Sequence, residues 1–488
     1  MKNKSINMQK ENLEKLEDSK SKVSTKTQWS ALILAAGKGT RMKNTLPKVL
    51  HPVAGAPMLQ YIVNACQSAQ ASEIRLVVGY GQDLVKNVAT SWGVNCFEQK
   101  QQLGTAHAVM AAQVDTLEGD VLIVAGDHPL ITATDIRDFY ATFKKEKMDL
   151  CVVTCDLKNP KEFGRIVRQH GEIKAIIEAK DASHEALKIK EVNTSIYFAK
   201  AELLDELLPK IQNHNAKKEF YLTEIVSLAL ENGWKVGTCK ANPRVAFGVN
   251  TQEELSAATK FIFKLKSKSL LSNGVLLMDI ATTYVEPSVE VGPGSLLYPN
   301  VTLRGKTKIG SFSVVEPHCM ISNSILGNGV QVKAGSYLED CEVGSQCSVG
   351  PYARLRPGTK LSDEVHIGNF VETKKAVIGK RTKAAHLTYL GDCEIGEDTN
   401  IGCGTITCNY AVDRKKYKTT IGNRVFVGSD SQFIAPVAVG DDAVIGSGST
   451  ITKDVPSKAL AVARAKQFVK VNYVKPETES EEKKEVGK

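Results

Sequence analysis

Nowhere in the 488 residues does an apolar run approach the ~18 residues that a membrane-spanning helix needs. Residues 1–29 lack the apolar core of a secretory leader. They are rich in Lys, Glu, Ser, Asn and Gln and read as a disordered extension, with the fold starting near Ser30. The eleven cysteines contain no Cys-x-x-Cys pair and their number is odd. That pattern argues against a disulfide framework and for free thiols in a reducing cytoplasm. Neither sign of charge dominates: 63 Lys and Arg face 54 Asp and Glu, a net +9. So mild an excess suits anionic small molecules and gives no case for nucleic acid. The last stretch, 475–488, is charged, has no aromatic residue and reads as a disordered tail.

What is present begins with an apolar run, 31–36, that breaks into Gly37-Lys38-Gly39-Thr40-Arg41 and then Pro47-Lys48. A buried strand that ends in a glycine-rich basic loop suits phosphate: backbone N–H groups can approach the anion and Lys or Arg neutralises it. The loop is neither of two familiar phosphate motifs. A dinucleotide fingerprint would need glycine where Met42 stands, and a P-loop would need four residues between its glycines. The chain is too long for one core. Strands are expected at 74–78, 121–125 and 150–153, alternating with helices at 58–68, 105–113 and 135–145, which implies an open α/β sheet with ligands above the carboxyl ends of its strands. Asp127 follows the 121–125 strand, well placed for Mg²⁺, which takes oxygen ligands. The amide-rich loop Gln99-Lys-Gln-Gln102-Leu-Gly-Thr105 could pair with the edge of a nucleobase; His107 belongs to the helix that follows.

From 251 to 272 an apolar helical spacing with lysines between predicts one connecting helix. Beyond it, an aliphatic residue followed by glycine recurs in steps of six: Val343-Gly344 and Val349-Gly350, Ile395-Gly396 and Ile401-Gly402, Val439-Gly440 and Ile445-Gly446. This is the hexapeptide repeat of a parallel β-helix, with eighteen residues to a coil. Cys341, Cys347 and Cys403 fall in the lattice and are expected to pack as small apolar residues. The phase slips at 354–365, 383–392 and 409–420, where loops are expected to leave the helix. The domain scheme is therefore an extension (1–29), an α/β domain of Rossmann-like type (30–250), a linker helix (251–273), a parallel β-helix (274–474) and a tail (475–488).

The glycine loop resembles the signature of the sugar-nucleotide pyrophosphorylases. From 31 to 467 the chain resembles the bacterial bifunctional family that is both UDP-N-acetylglucosamine pyrophosphorylase and glucosamine-1-phosphate N-acetyltransferase. The resemblance implies acetyl transfer from acetyl-CoA to glucosamine 1-phosphate, then uridylyl transfer from UTP to N-acetylglucosamine 1-phosphate, supplying precursors of peptidoglycan and lipopolysaccharide. It implies that Leu34, Ala35, Ala36, Gly37, Arg41 and Lys48 hold the nucleotide and its phosphates, and that Gln99, Gln102, Gly104 and Thr105 read uracil. Gly164, Glu178, Asn193 and Asn250 would serve the sugar nucleotide, and Asp127 with Asn250 would hold Mg²⁺. Ser195 departs from the family's glycine after Asn-Thr and could narrow the sugar pocket.

Acetyl transfer to an amine needs a base near neutrality, and the β-helix offers His318, His366 and His386. The family motif falls on Lys383-Ala-Ala-His386-Leu-Thr-Tyr389, which makes His386 the base. By the same resemblance Arg356, Lys374, Tyr389 and Asn400 hold glucosamine 1-phosphate, and Cys403, Asn409, Tyr410, Ser429, Ser447 and Arg464 hold acetyl-CoA. The family's Asp after Asn-Tyr is Ala411 here, in a loop one residue longer, and Lys416 matches a lysine that reaches a neighbouring subunit. The family implies a left-handed β-helix, a homotrimer, a cytoplasmic location and no nucleic-acid partner. Two other readings compete: a pyrophosphorylase whose β-helix only assembles subunits, and a scaffold whose hexads and extension bind partners. A covalent acyl-enzyme on Cys403 or Cys408 has no histidine at suitable spacing.

Overall fold

The computed structural model describes residues 29–474, so the extension and tail expected at the two ends lie outside the described residues, Trp29 excepted. The described chain forms two compact units that divide between Ile262 and Phe263. Among the described residues, no helix is long and apolar enough to cross a membrane.

The first unit is built on a twisted mixed sheet. Its strands run, in spatial order, Val236–Lys240, Leu150–Asp156, Glu191–Lys200, Asp120–Ala125, Trp29–Ala35, Glu73–Val78 and Asn95–Glu98. All neighbours are parallel except Glu191–Lys200, which runs antiparallel to both of its own. The near-continuous apolar runs of the central strands reflect burial on both faces. Trp29, which the sequence reading gave to the extension, opens the first strand and is buried against Phe198 in an edge-to-face contact. The expected helices appear as Met58–Ser68, Thr105–Met110 and Ala133–Lys145. The last begins at Thr132, whose hydroxyl accepts from Asp135 N–H while the Asp135 carboxylate accepts from Thr132 N–H, a capping box. Thr251 and Glu254 start the helix Gln252–Ser272 in the same manner.

The second unit is a stack of coils in which short parallel strands pair with the coils before and after. One inward column runs Val343, Leu361, Ile378, Ile395, Ile421 and Val439, every member buried and each in register with the next. Burying such a side chain contributes about 1.5–3 kcal/mol, so the column is the spine of the unit. Cys341 and Cys347 are buried in this core, as expected, but Cys403 is exposed. Ile401 takes the inward position beside it and Gly402 turns the corner, which leaves the Cys403 thiol in solvent.

Two of the three expected loops are corrected. Residues 354–365 stay on the lattice as Arg354–Leu355 and Lys360–Leu361. Residues 383–392 lie within one long strand, Lys383–Ile395, paired along its length with His366–Ile378. The cause is coil length: Leu326 pairs with Val343, 17 residues on, and Val343 with Leu361, 18 on. Dropping a corner residue shifts the hexad phase without expelling the chain. Only 409–420 departs: Cys393 pairs with Thr419, 26 residues on, and the excess forms a hairpin closed by the Tyr410–Lys416 bridge.

Candidate active sites

The strands Trp29–Ala35, Glu73–Val78 and Asp120–Ala125 end together, and a cavity of about 350 Å³ opens at their carboxyl ends. It is lined by Leu34, Ala35, Ala36, Gly37, Lys48, Gln99, Gln102, Gly104, Thr105, Asp127, Glu178 and Asn193. The amide loop is braced from within. Gln99 is buried; its Nε2 donates to Gly104 O at 3.2 Å and lies 2.9 Å from His107 Nδ1. His107 thus sits in its helix and also orients the amide. Gln102 Nε2 donates to Gln99 O, and Thr105 Oγ1 accepts from Leu222 N–H at 3.0 Å. Gly104 takes φ +124°, and a Cβ there would lie 2.5 Å from Phe220 O.

Asp127 sits just past its strand, where its carbonyl accepts from Val249 N–H and draws Asn250 to the site. Lys48 Nζ donates to Asp127 Oδ2 and, at 3.0 Å, to Asn250 Oδ1. Burial would push the Asp127 carboxyl up, but Lys48 and then His128 hold it below the usual range. His128 donates from Nδ1 to Val245 O at 3.0 Å, which fixes its neutral tautomer, and burial pushes its pKa down. Asp127 Oδ1 is buried with no hydrogen-bond partner. A carboxylate oxygen and an amide oxygen, with a cation already bridging them, are a donor set that fits a hard divalent ion. Among the described residues no cluster of three or more His, Cys, Asp or Glu could hold a metal. An ion held by Asp127 and Asn250 would therefore have a single carboxylate among its protein ligands, which leaves positions for water and substrate phosphates.

Three sequence-derived residues lie outside the cavity lining. Arg41 is exposed and pairs with Glu162 at 3.5 Å. Gly164 packs on Glu178, whose Oε1 would be 3.5 Å from a Cβ at that position. Asn250 joins through Lys48. At the far end of the cavity, burial raises the pKa of Glu178 despite a hydrogen bond from Thr223. Asn193 Nδ2 donates to Tyr197 Oη at 2.6 Å, and Asn193 Oδ1 accepts from Ser195 N–H at 3.0 Å. Ser195 has φ +62°, the left-handed backbone that glycine adopts without strain.

In the β-helix the sequence-derived residues fall on two corners. His386, Cys403, Ser429 and Ser447 hold equivalent positions on successive coils, tied by the bonds Gly404 N–H to Leu387 O, Asp430 N–H to Cys403 O and Gly448 N–H to Ser429 O. Arg464 caps the column, donating to Ser447 O at 2.8 Å. On the other corner Arg356 pairs with Glu372 at 2.8 Å, one coil from Lys374. Lys416 returns from the hairpin to touch Lys374; that contact, the cost of desolvation and Arg356 push the Lys374 pKa down, opposed by Asp392. Asn409 is buried and donates to Asp392 Oδ2, with Tyr410 exposed beside it. Tyr389 lies on the wall between the corners, in register with Glu372. Asn400 pairs with Lys383 on another wall and does not join the Arg356–Lys374 group within one chain.

Three family models match the chain: a MobA-like NTP transferase domain over 31–217, a GMPPB C-terminal domain over 280–383 and a bacterial transferase hexapeptide (six repeats) over 418–453. The bifunctional protein GlmU of Bdellovibrio bacteriovorus is 59% identical over 94% of this chain and 100% of its own length. The chain belongs to the GlmU family. GlmU of Pelobacter propionicus is 44% identical over 90% of this chain and 96% of its own length, and that of Acinetobacter baumannii 42% over 92% and 98%. As a GlmU-family member the chain is a bifunctional enzyme that makes UDP-N-acetylglucosamine by acetyl transfer and uridylyl transfer, for peptidoglycan synthesis, and uses a divalent metal. The pure-scaffold reading and the reading of the β-helix as an assembly module are overturned by this membership.

Sequence reasoning missed several cavity residues. Tyr197, Glu219, Leu222 and Thr223 line the cavity and lie in no motif. Tyr197 becomes a partner of Asn193 only because the strand bulges between them. His128, buried beside Asp127 and outside the cavity lining, was also missed, although it stands next to Asp127 in the Ala-Gly-Asp-His string.

Proposed function

We propose that the cavity binds UTP and N-acetylglucosamine 1-phosphate together with Mg²⁺, and that the β-helix binds glucosamine 1-phosphate and acetyl-CoA. The observation that carries the first assignment is the Lys48–Asp127–Asn250 cluster at the carboxyl ends of parallel strands. In the uridylyl step the sugar-phosphate oxygen attacks the α-phosphorus of UTP and pyrophosphate leaves. Gln99, Gln102, Gly104 and Thr105 grip the base, Gly37 and its loop approach the phosphates, and Arg41 and Lys48 neutralise them. Gly164, Glu178 and Asn193 orient the sugar. Bound Mg²⁺ supplies Lewis-acid stabilisation of the phosphate charge. No side-chain nucleophile is needed; positioning and neutralisation suffice.

In the acetyl step His386 takes the proton from the sugar amine as nitrogen attacks the thioester carbon and CoA thiolate departs. Arg356, Lys374, Tyr389 and Asn400 hold the sugar phosphate; Asn409, Tyr410 and the column Cys403, Ser429, Ser447 and Arg464 hold the cofactor. The two groups occupy different corners of one chain, which supports a homotrimer whose sites are completed by a second copy. Eleven free cysteines support a cytoplasmic location. We also propose functional boundaries at 30–250, extended by Trp29 at its start, and at 274–474. The test is a product assay with UTP or dTTP, acetyl-CoA and glucosamine 1-phosphate. UDP-N-acetylglucosamine should accumulate only with UTP; equal use of dTTP would overturn the base assignment.

A further inference from the structure

Lys48 stands in an unexpected place. A lysine that serves phosphates would be expected to face them, yet its ammonium spends two of its three donors on Asp127 Oδ2 and Asn250 Oδ1. Those are the two oxygens that suit a divalent ion. Both partners of the ion pair are largely shielded, with side chains 13% and 14% exposed, so water screens the charges little. An ammonium and a divalent ion cannot share one carboxylate at contact distance in such a setting without strong repulsion.

The backbone beneath Lys48 is fixed. Its one-turn helix, Lys48–Leu50, is closed by His51, whose buried ring lies 3.3 Å from Pro47 O and 3.2 Å from Lys48 O through Nδ1. The stem runs alongside the glycine loop. A Cβ on Gly39 would lie 2.6 Å from Lys48 Cβ and 3.3 Å from its Cδ, so the stem lies directly against the segment that would cradle phosphates. Rotation about side-chain bonds alone can carry the ammonium from Asp127 toward an anion on that loop.

We propose that Lys48 is the resident cation of the metal site in the nucleotide-free enzyme, and that a divalent ion takes the Asp127–Asn250 oxygens only when a triphosphate draws Lys48 away. The nucleotide-free protein is thereby protected from an unproductive metal, and nucleotide and metal arrive as one unit. This rests on the reading of Asp127 and Asn250 as the metal ligands.

The test is Mn²⁺ binding to the full-length protein, followed by the electron paramagnetic resonance signal of free Mn²⁺, with no nucleotide present. K48M and K48Q should each bind one Mn²⁺ at least tenfold more tightly than wild type, although removing a cation from a phosphate site weakens UTP binding. The double variant K48M/D127N should lose that gain. K48R, which keeps the charge, should stay as weak as wild type. Thermal melts show which variants are folded, and either neutral variant suffices. Mn²⁺ affinity unchanged or weaker in a folded neutral variant overturns the proposal. Failure of the underlying ligand reading looks different: D127N would then bind Mn²⁺ together with UTP as wild type does.

Discussion

Gly104→Ala is the most informative single-methyl change in the nucleotide site. Its Cβ would meet Phe220 O at 2.5 Å, Phe220 N at 2.6 Å and Phe220 C at 3.0 Å, all backbone. Ordinary contact begins near 3.4 Å, so the Phe220 segment must move by about 0.9 Å. Two hydrogen bonds cross that seam, Phe220 N–H to Leu103 O at 2.8 Å and Ala106 N–H to Phe220 O at 2.9 Å. Alanine at φ +124° adds backbone strain of roughly 1–3 kcal/mol. With about 1 kcal/mol for each of the two weakened bonds, the first unit should lose roughly 3–5 kcal/mol. The chain supplies its own reporter: all three tryptophans, Trp29, Trp92 and Trp234, lie in that unit. Denaturant titration followed by tryptophan fluorescence should therefore show a lowered midpoint. Displacing the Gly104 carbonyl also frees Gln99, so KM for UTP should rise about tenfold or more. Acetyl transfer belongs to the other unit and should stay within twofold. An unchanged midpoint with an unchanged UTP KM would refute the reasoning.

His386→Ala should lower acetyl transfer by about a hundredfold or more and leave uridylyl transfer within twofold; acetylation that survives within threefold removes His386 as base. Burial raises the Glu178 pKa above its ordinary 4.5, so the folded protein holds that proton more tightly than the unfolded chain. The contribution is complete below 4.5 and is lost as pH rises through the folded value; E178Q should thus be more stable than wild type at pH 7 and lose that advantage in acid, read from melts across pH. Cys403 is the one exposed cysteine, whereas Cys96 and Cys408 are half-buried and the rest are buried. Iodoacetamide should modify Cys403 first, with acetyl-CoA slowing it, as peptide mass mapping would show; slower labelling of Cys403 than of a core cysteine would contradict the exposed corner.

Legibility followed locality. The hexads were readable because each inward residue is specified by its own six-residue neighbourhood: Val343 and Leu361, and again Ile421 and Val439, pair in register eighteen residues apart, as the period requires. The 383–392 segment was not, because its extended form is dictated by the partner strand His366–Ile378 rather than by its own composition. The same holds in the cavity. Gly37 and Asp127 follow strands whose apolar runs announce them, whereas Gln99 follows the short strand Asn95–Glu98, which has no such run, and was legible only through its amide-rich loop. Glu219 and Thr223 arrive from a loop whose place is set by contacts with Leu103 and Thr105 across the chain. The antiparallel strand Glu191–Lys200 went unread because its alternation is broken by the bulge that carries Ser195.

A stack of coils that bond only to their immediate neighbours has an open end, and an open end is where unravelling starts. The corner column runs toward that end, from His386 through Ser429 to Ser447 and Arg464. A long, thin molecule laid along it would span several coils at once and act as a splint. Without that molecule, amide exchange should spread inward from the last coils like a seam coming undone. If acetyl-CoA lies along this column as proposed, its binding would also hold the last described coils shut.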